Sequence, residues 1–220
     1  MDIRGFVLSA RAHGDAREDT YEHLAYHFCE AHRHAPGGVS VEVGTRRGGS
    51  AFMQLKLLQE LYPPILHPLL VTIDPYGDKP YLTGLVGAPP IAGLYGNADY
   101  LEAKQLLASF PRHVHFSITS LDWLVFAKAG LRLWYHGAPL EPGARNITHV
   151  YLDGDHDAPT ILGEVEGFVP MLKPGGRITI DNTPDDPKTI PGLELLVLQS
   201  KVGLSLLRPL ADMAVIVRCK

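Results

Sequence analysis

The stretch "VSVEVGTRRGGS", residues 39–50, decides the fold of this chain. The run at 39–43 is rich in valine, and a short apolar run of this kind is typical of a buried strand. Glycines at 44, 48 and 49 then allow a tight turn. The apolar segment 51–62 follows and is interrupted by Pro63 and Pro64, where a helix must stop. A buried strand, a glycine turn and a helix form the first half of a βαβ unit, so the stretch predicts an α/β sheet protein.

The same alternation continues on both sides of this unit. We expect a helix at 15–34, strands at 69–75, 113–120, 148–154 and 177–183, helices at 97–110, 121–130 and 158–172, and a turn at 173–176. The predicted strands 204–210 and 213–219 are joined by a short turn and must be antiparallel. The pattern predicts a doubly wound, mainly parallel, seven-stranded sheet with an antiparallel C-terminal strand, a Rossmann-like α/β fold.

We expect one domain over residues 1–220, with a helical segment at 1–35 and a loop at 136–146. The segment 76–96 is rich in Gly, Pro and Tyr, and we expect it to form a lid over a substrate, because loops of this length are often functional.

Composition restricts the class of protein. The net charge is −4, which does not favour nucleic acid as a partner, and no run of about 20 apolar residues predicts a membrane span. Cys29 and Cys219 are too few for a disulfide framework and fit a reducing, cytoplasmic location. Four histidines at 23, 27, 32 and 34 lack cysteines at zinc-finger spacing, so we expect a solvated helix face.

Ligands bind at the carboxyl ends of the strands in such sheets, so the residues there are the candidates for a site. The glycine turn follows the first strand, but its spacing is neither G-x-G-x-x-G nor that of a phosphate loop. Asp74 follows the second strand and is a candidate acceptor for ribose hydroxyls. Ser120, Leu121 and Asp122 follow the third, where a polar side chain can meet an adenine edge.

Acidic residues follow the next two strands, in "YLDGDHDAP" at 151–159 and "TIDNTPDD" at 179–186. Asp153, Asp181 and Asn182 would bring two carboxylates and an amide oxygen to one edge of the sheet, an oxygen-only set that suits magnesium. Without a cation, placing these carboxylates together is costly. The alternative is that loop aspartates simply face solvent, which we expect for Asp157, Asp185 and Asp186.

These motifs carry a family resemblance. "VEVGTRRGGS" resembles the first motif, E-x-G-x-x-x-G-x-S, of class I S-adenosylmethionine-dependent methyltransferases. The "DN" pair at 181–182 is similar to that of the metal-dependent catechol and caffeoyl-CoA O-methyltransferases. "DPYGDKPY" and "DGDHDAPTILGEVEGFVPMLKPGG" look more like the macrocin-type sugar O-methyltransferases. The resemblance covers about residues 21–220.

The resemblance implies S-adenosylmethionine and Mg²⁺ or Mn²⁺ as cofactors, and a small-molecule hydroxyl as acceptor. It places the methionine part of the cofactor over Gly44, the ribose at Asp74, the adenine between Ser120 and Leu121, and the metal on Asp153, Asp181 and Asn182. The full cofactor-binding set that it implies is Glu42, Gly44, Thr45, Gly48, Ser50, Asp74, Ser120, Leu121 and Asp153.

Two questions stay open at this point. The catechol enzymes carry a lysine base shortly after their first metal aspartate, whereas this chain has Asp155 and His156, and either can take the proton. Two other functions also fit the sheet: an NAD-type oxidoreductase, and a non-catalytic nucleotide-binding module. Whether the chain forms a homodimer is equally open.

Overall fold

Strands and helices alternate along the chain, and their bounds follow from a computed structural model that describes residues 3–14, 17–63, 66–77, 80, 89–91, 95–135 and 138–219. In chain order the elements are α1 (Ile3–Arg11), α2 (Glu18–His34), β1 (Val39–Val43), α3 (Gly49–Leu61), β2 (Leu70–Ile73), α4 (Asn97–Leu107), β3 (His113–Phe116), α5 (Ser120–Lys128), β4 (Leu133–Tyr135), β5 (Ala138–Leu140), β6 (Ile147–Leu152), α6 (Ala158–Phe168), a 3₁₀ turn (Val169–Met171), β7 (Leu172–Ile180), α7 (Thr189–Gln199), β8 (Leu204–Leu210) and β9 (Met213–Arg218).

Seven strands form one sheet in the order β3-β2-β1-β6-β7-β9-β8. The first five are parallel, and β9 runs antiparallel to both β7 and β8. The predicted doubly wound, mainly parallel sheet is therefore confirmed. Val43 pairs with Ile73 on one side and Leu152 on the other, and Leu152 pairs with Ile180, so these strands end at one edge. The strand order reverses between β1 and β6, which is where ligands bind in open α/β sheets.

Apolar side chains cover both faces of the sheet. Adjacent residues of β2 show this, because Leu70 and Val71 are both fully buried yet belong to different clusters. On one face Phe28 packs with residues of α1 to α3, and on the other Trp123 packs with residues of α5 and α6. The last residues of four strands, Val43, Ile73, Leu152 and Ile180, are buried between the two layers, so the loops at the carboxyl edge start from packed positions.

Two local expectations are wrong. Within the loop expected at 136–146, residues Ala138–Leu140 form the strand β5, which pairs antiparallel with the preceding strand β4 in a hairpin separate from the main sheet. The turn expected at 173–176 lies inside β7, where the register against β6 shifts. The backbone passes so close to α2 that a Cβ on Gly175, which has φ +86°, would lie 2.9 Å from the His34 carbonyl oxygen. The glycines here allow a strand to pass close under a helix.

The expected solvated histidine face is also wrong in part. His34 is exposed, but His27 and His32 are buried on the inner face of α2. His32 is bonded through Nδ1 to the Tyr62 hydroxyl and through Nε2 to Ser40 Oγ. Burial, followed by nearby positive charge, lowers the pKa of His27 to about 4 and that of His32 to about 3. Both side chains belong to a buried polar layer between α2 and the sheet.

Within the described residues, no helix combines the length and the apolar composition needed to span a bilayer. Most of the lid expected at 76–96 falls outside the described residues, so that expectation stays a prediction.

Candidate functional site

A cavity of about 430 Å³ runs along the carboxyl edge of the sheet, between the ends of β2 and β7. It brings together eight of the residues that the sequence singles out: Gly44, Asp74, Ser120, Asp153, Asp155, His156, Asp181 and Asn182. Strands β1, β2, β6 and β7 each contribute at least one of these from the loop that follows the strand, and Ser120 begins α5. The edge expected to carry the site therefore does carry a cavity.

Gly44 lies where the loops after β1 and β6 nearly touch. Its φ is +84°, and a Cβ built on it would be only 2.0 Å from the carbonyl oxygen of Asp153. The glycine is therefore required by the protein's own backbone, whatever ligand lies above it. This contact fixes the distance between the turn expected to hold the cofactor and the first of the candidate metal ligands.

Asp74 has structural partners of its own. Its Oδ2 accepts from the backbone N–H of Arg46 at 2.9 Å, and its Oδ1 accepts from the N–H of Tyr76 at 3.0 Å. Arg46 and Tyr76 both have positive φ, at 48° and 47°, which is uncommon for residues other than glycine. Burial raises the pKa of Asp74. The carboxylate therefore ties the loop after β1 to the loop after β2, besides facing the cavity.

Five expected cofactor residues do not line the cavity: Glu42, Thr45, Gly48, Ser50 and Leu121. Glu42 is fully buried below it and accepts from Gln54 Nε2 at 2.5 Å. Burial, followed by the charge of Asp153, raises the pKa of Glu42 well above its ordinary value. Leu121 points outward and is 46% exposed. Of the first motif, Gly44 therefore faces the cavity, whereas the side chains of Glu42, Thr45 and Ser50 are buried away from it.

Glu164 is a cavity residue that the sequence interpretation missed. It lies on α6, is 1% exposed, and accepts a short hydrogen bond from the Ser120 hydroxyl. Burial raises the pKa of Glu164 to about 8, so the carboxyl is largely uncharged at neutral pH. Only its position on the inner face of a helix after the acidic loop gives a signal for it. Glu164 fixes the direction of the Ser120 side chain at the end expected to hold adenine.

Asp153 and Asp181 converge, as the sequence predicts. The hydroxyl of Tyr151 lies 3.2 Å from Oδ2 of Asp153 and 3.3 Å from Oδ2 of Asp181, so one group contacts both carboxylates. Burial, followed by the charge of Asp153, raises the pKa of Asp181 to about 7. Oδ1 of Asp181 is buried without a hydrogen-bond partner in the described structure. Two carboxylates in this arrangement are unfavourable unless a proton or a cation compensates them.

His156 is buried between the two acidic loops. Its Nδ1 lies 3.1 Å from Asp185 Oδ2, and its Nε2 lies 3.7 Å from Asp153 Oδ1. The Asn182 amide lies 3.2 Å from the same ring. Burial alone would lower the pKa of His156, but the hydrogen bonds and charges of Asp153 and Asp185 outweigh it and raise the pKa. His156 is thus stabilised as a cation beside the carboxylates.

The three aspartates expected to face solvent have structural roles. Asp157 is the N-cap of α6 and accepts from the Thr160 N–H at 3.2 Å. Asp186 accepts from the Ala158 N–H at 3.0 Å, which joins the loop after β7 to the start of α6. Asp185 contacts His156, as described above. The expectation that these side chains are simply solvated is therefore wrong. Asp157 caps its own helix, whereas Asp185 and Asp186 find partners across the two loops that a local sequence pattern does not show.

An ion pair lies at the rim of the cavity and was also missed. Arg17, just before α2, donates to Asp212 in the β8–β9 turn at 2.6 Å. These residues are 195 positions apart in the chain, and no local motif marks either of them. Arg17 is largely exposed, so the pair contributes little stability, but it does bring the N-terminal helices to the mouth of the cavity.

The chain matches the sequence profile of a known protein family. The sequence profile of a methyltransferase domain matches residues 41–183, from β1 to the loop after β7, which contains most of the cavity residues. No curated protein matches the sequence. The match favours methyl transfer over the two alternatives left open by the sequence, hydride transfer with NAD and a non-catalytic module.

Solved structures share the fold at low sequence identity. The calicheamicin methyltransferase CalS11 is 17% identical with a TM-score of 0.63, covering 92% of this chain and 80% of that one. An O-methyltransferase from Bacillus cereus, in complex with S-adenosylhomocysteine, is 12% identical with a TM-score of 0.59, covering 99% and 90%. TomG from Streptomyces achromogenes, an O-methyltransferase of tomaymycin synthesis in complex with S-adenosylmethionine, is 16% identical with a TM-score of 0.57, covering 99% and 89%. The resemblance to class I methyltransferases is confirmed at the level of family and fold.

Proposed function

Because this chain belongs to the methyltransferase-domain family, we propose that it transfers a methyl group from S-adenosylmethionine to a hydroxyl of a small molecule, assisted by a divalent metal. One observation carries the proposal: a single cavity joins the glycine turn, Asp74 and Ser120 to the carboxylates after β6 and β7. The first group suits a nucleoside with a charged tail, and the second suits a polar acceptor. One cavity can therefore hold both the methyl donor and the methyl acceptor.

The cofactor end of the cavity offers a floor, a side wall and a polar end. The floor is the turn after β1 at Gly44, whose lack of a side chain allows close approach. Asp74 offers oxygens to the ribose hydroxyls from the end of β2. Ser120, oriented by Glu164, faces the adenine. Buried Glu42 and Gln54 support the floor from below rather than touching the cofactor.

The residues at the other end fit a divalent metal. Asp153 and Asp181 follow neighbouring strands within reach of one hydroxyl, and Oδ1 of Asp181 is buried without a hydrogen-bond partner among the described residues, as expected of an oxygen that would serve as a metal ligand. The described residues contain no group of three or more His, Cys, Asp and Glu side chains arranged for a metal, so the set depends on the amide of Asn182. Oxygen ligands favour Mg²⁺ or Mn²⁺ over Zn²⁺.

A divalent metal at this position would lower the pKa of an acceptor hydroxyl and hold it in place. The chain's own residues do the remaining work. The Gly44–Asp153 contact sets how far the floor of the cofactor site lies from the acceptor end, and methyl transfer needs the two reacting atoms in line and close. Asp155 and His156 line the same end and are the candidates to accept the acceptor's proton.

The partners of His156 favour Asp155 as the proton acceptor. His156 has its ring nitrogens near Asp153, Asp185 and Asn182, so both nitrogens are engaged by side chains of the two acidic loops. An imidazole held in this way is poorly placed to take a proton from an acceptor in the cavity. We therefore assign the base to Asp155, and assign to His156 the task of balancing the charge of the neighbouring carboxylates.

A small-molecule acceptor is supported by the size of the cavity, about 430 Å³, and by the net charge of −4, which opposes binding of nucleic acid. Two structural neighbours are named for the methylation or synthesis of natural products, calicheamicin and tomaymycin, and support the same class of acceptor here. A catechol, a sugar hydroxyl or another vicinal diol would each suit a metal held by oxygens.

Calorimetric titration with S-adenosylhomocysteine, S-adenosylmethionine and NAD tests the cofactor. We expect the first two to bind and NAD not to bind. A screen of catechols and glycosides with radiolabelled methyl donor and Mg²⁺ then tests the acceptor class. Binding of NAD without binding of S-adenosylhomocysteine would contradict the proposal.

A further inference from the structure

Tyr151 lies beneath the proposed metal site. It precedes Asp153 by two residues on β6, and side chains two apart on a strand point to the same face. Across the sheet its partner is Thr179, which precedes Asp181 by the same two residues. The ring is fully buried in the apolar cluster beneath α1 to α3. The hydroxyl at its tip is the polar part of this residue, and it is directed at the two carboxylates.

The Tyr151 hydroxyl contacts one oxygen, Oδ2, of each carboxylate. It lies 3.2 Å from Oδ2 of Asp153 and 3.3 Å from Oδ2 of Asp181. A phenol has one hydrogen to donate, so the two oxygens share it or alternate as acceptor. Either way, Tyr151 holds two side chains from different strands by corresponding atoms. This limits rotation of both carboxylates about their terminal bonds.

The carboxylate oxygens that Tyr151 does not contact are Oδ1 of Asp153 and Oδ1 of Asp181. Oδ1 of Asp181 is buried and has no hydrogen-bond partner among the described residues, whereas Oδ1 of Asp153 lies 3.7 Å from Nε2 of His156, at ion-pair distance. Leaving a buried carboxylate oxygen unpaired costs free energy comparable to its lost solvation. A cation held by these carboxylates would remove this cost at Asp181. On Asp181 the pattern separates an oxygen held by Tyr151 from an unpaired one, and on Asp153 it separates an oxygen held by Tyr151 from one that lies at ion-pair distance from His156.

We propose that Tyr151 is a positioning residue of the divalent-metal site, whose hydroxyl holds Oδ2 of Asp153 and Asp181 so that both present Oδ1 to the cation. The inference rests on the proposed metal-assisted function and adds to it the residue that orients the ligands. Hydrogen bonds to ligating carboxylates orient them in this way in many metal sites, and losing such a partner typically weakens metal binding about 10–100-fold. The ring alone would fill the core, so the hydroxyl is the part that serves the site.

The test is Mn²⁺ binding to the Tyr151→Phe variant, followed by the paramagnetic resonance signal of free Mn²⁺. All titrations contain saturating S-adenosylhomocysteine, which stabilises the folded state of each variant. We expect Tyr151→Phe to bind Mn²⁺ about 10–100-fold more weakly than the parent. The matched control is Tyr62→Phe, which removes a hydroxyl bonded at 2.9 Å to His32, away from the cavity. It should lower stability and leave the Mn²⁺ affinity unchanged.

Each other outcome overturns the inference in an identifiable way. Unchanged or tighter Mn²⁺ binding by Tyr151→Phe would remove the role of Tyr151 while leaving the metal site itself in place. Equal weakening in Tyr62→Phe would show a general loss of stability. A Tyr151→Phe chain that fails to fold with S-adenosylhomocysteine would show that the hydroxyl serves the core. A parent chain that binds S-adenosylhomocysteine but no Mn²⁺ would overturn both this inference and the metal assistance on which it rests.

Discussion

Nδ1 of His156 lies 3.1 Å from Oδ2 of Asp185, and this contact joins the loop after β6 to the loop after β7. The two loops carry all three candidate metal ligands, so their relative position sets the geometry of the acceptor end. His156 also lies 3.7 Å from Asp153 on its other nitrogen. A positively charged imidazole between two acidic loops can keep the carboxylates together while no metal is bound.

The first prediction separates the two candidate bases. Asp155→Asn should lower turnover at saturating Mg²⁺ by about 10²–10⁴-fold, the usual effect of losing a general base. His156→Gln keeps hydrogen-bonding capacity but removes the charge, and should weaken Mg²⁺-dependent activity less than Asp155→Asn does. Steady-state kinetics with S-adenosylmethionine at saturation measures both. The reverse order would make His156 the base, and full activity in both variants would leave proton removal to the metal and solvent.

The second prediction concerns Gly44. Gly44→Ala should weaken S-adenosylhomocysteine binding and lower the melting temperature, because the new Cβ would lie 2.0 Å from the Asp153 carbonyl oxygen. Gly37→Ala is the matched control: Gly37 has φ +73°, but a Cβ there has nothing within 4 Å. It should show only the modest destabilisation of a side chain at positive φ, with the cofactor affinity of the parent. Equal cofactor binding by Gly44→Ala and the parent would show that the two loops separate freely.

How much of this could be predicted from the sequence depends on the range of the interactions involved. The β1–turn–α3 unit follows from local patterns, a valine run and glycines at a turn, and the five strand ends follow from the alternation of elements. The hairpin formed by β4 and β5 was missed because its strands have only three residues each, and one includes Pro139. Short strands pair through long-range context that local composition does not record.

The missed site residues have a different cause. Tyr151 and Glu164 have ordinary positions in a strand and a helix, and become notable only because the fold places their polar atoms beside Asp153 and Ser120. His32 shows a signal that was available, since it follows Phe28 by four residues on the same face of α2. Histidine as a residue type suggested exposure to solvent, whereas the helical spacing of His32 from Phe28 indicated burial. Position on the element was the better guide.

The third prediction concerns Asp74. Asp74→Ala should weaken S-adenosylhomocysteine binding by roughly 1.5–3 kcal/mol, the usual range for hydrogen bonds to a charged group. It should also make the loop after β1 more susceptible to protease, because the N–H groups of Arg46 and Tyr76 lose their acceptor. Asp99→Ala is a useful control. Asp99 lies in the first turn of α4, pairs with Arg47 and does not line the cavity. Cofactor binding by Asp74→Ala equal to that of the parent would exclude Asp74 from the site.

The fourth prediction is that chelation abolishes methyl transfer. Protein stripped with EDTA should lose turnover and recover it with Mg²⁺ or Mn²⁺, while S-adenosylhomocysteine still binds, because the metal lies at the acceptor end. Asp181→Asn should resemble the stripped protein in activity. It should be at least as stable as the stripped parent, since it removes the buried member of two neighbouring carboxylates. Undiminished transfer in excess EDTA would move this chain to the metal-independent methyltransferases.

The fifth prediction is acid sensitivity caused by the buried histidines of α2. Burial lowers the pKa of His32 to about 3, against about 6.5 in the unfolded chain. Below pH 6.5 the unfolded state therefore binds a proton that the folded state resists, so the free energy of unfolding falls as the pH drops from 6.5 toward 3. Well above pH 6.5 the titration of His32 does not affect the free energy of unfolding. At pH 5.5 it should lower that free energy by about 1.4 kcal/mol.

His32→Gln isolates this contribution, because glutamine does not titrate. Urea unfolding at pH 7.5 and 5.5 should show a drop in unfolding free energy about 1.4 kcal/mol smaller in His32→Gln than in the parent. The comparison is needed because carboxyls with raised pKa, such as Glu164, act in the opposite direction. The exposed His34→Gln, on the same helix, is the control and should keep the parent's drop. Identical drops in parent and His32→Gln would show that His32 is protonated in the folded protein at pH 5.5, and that the polar layer under α2 admits a charge.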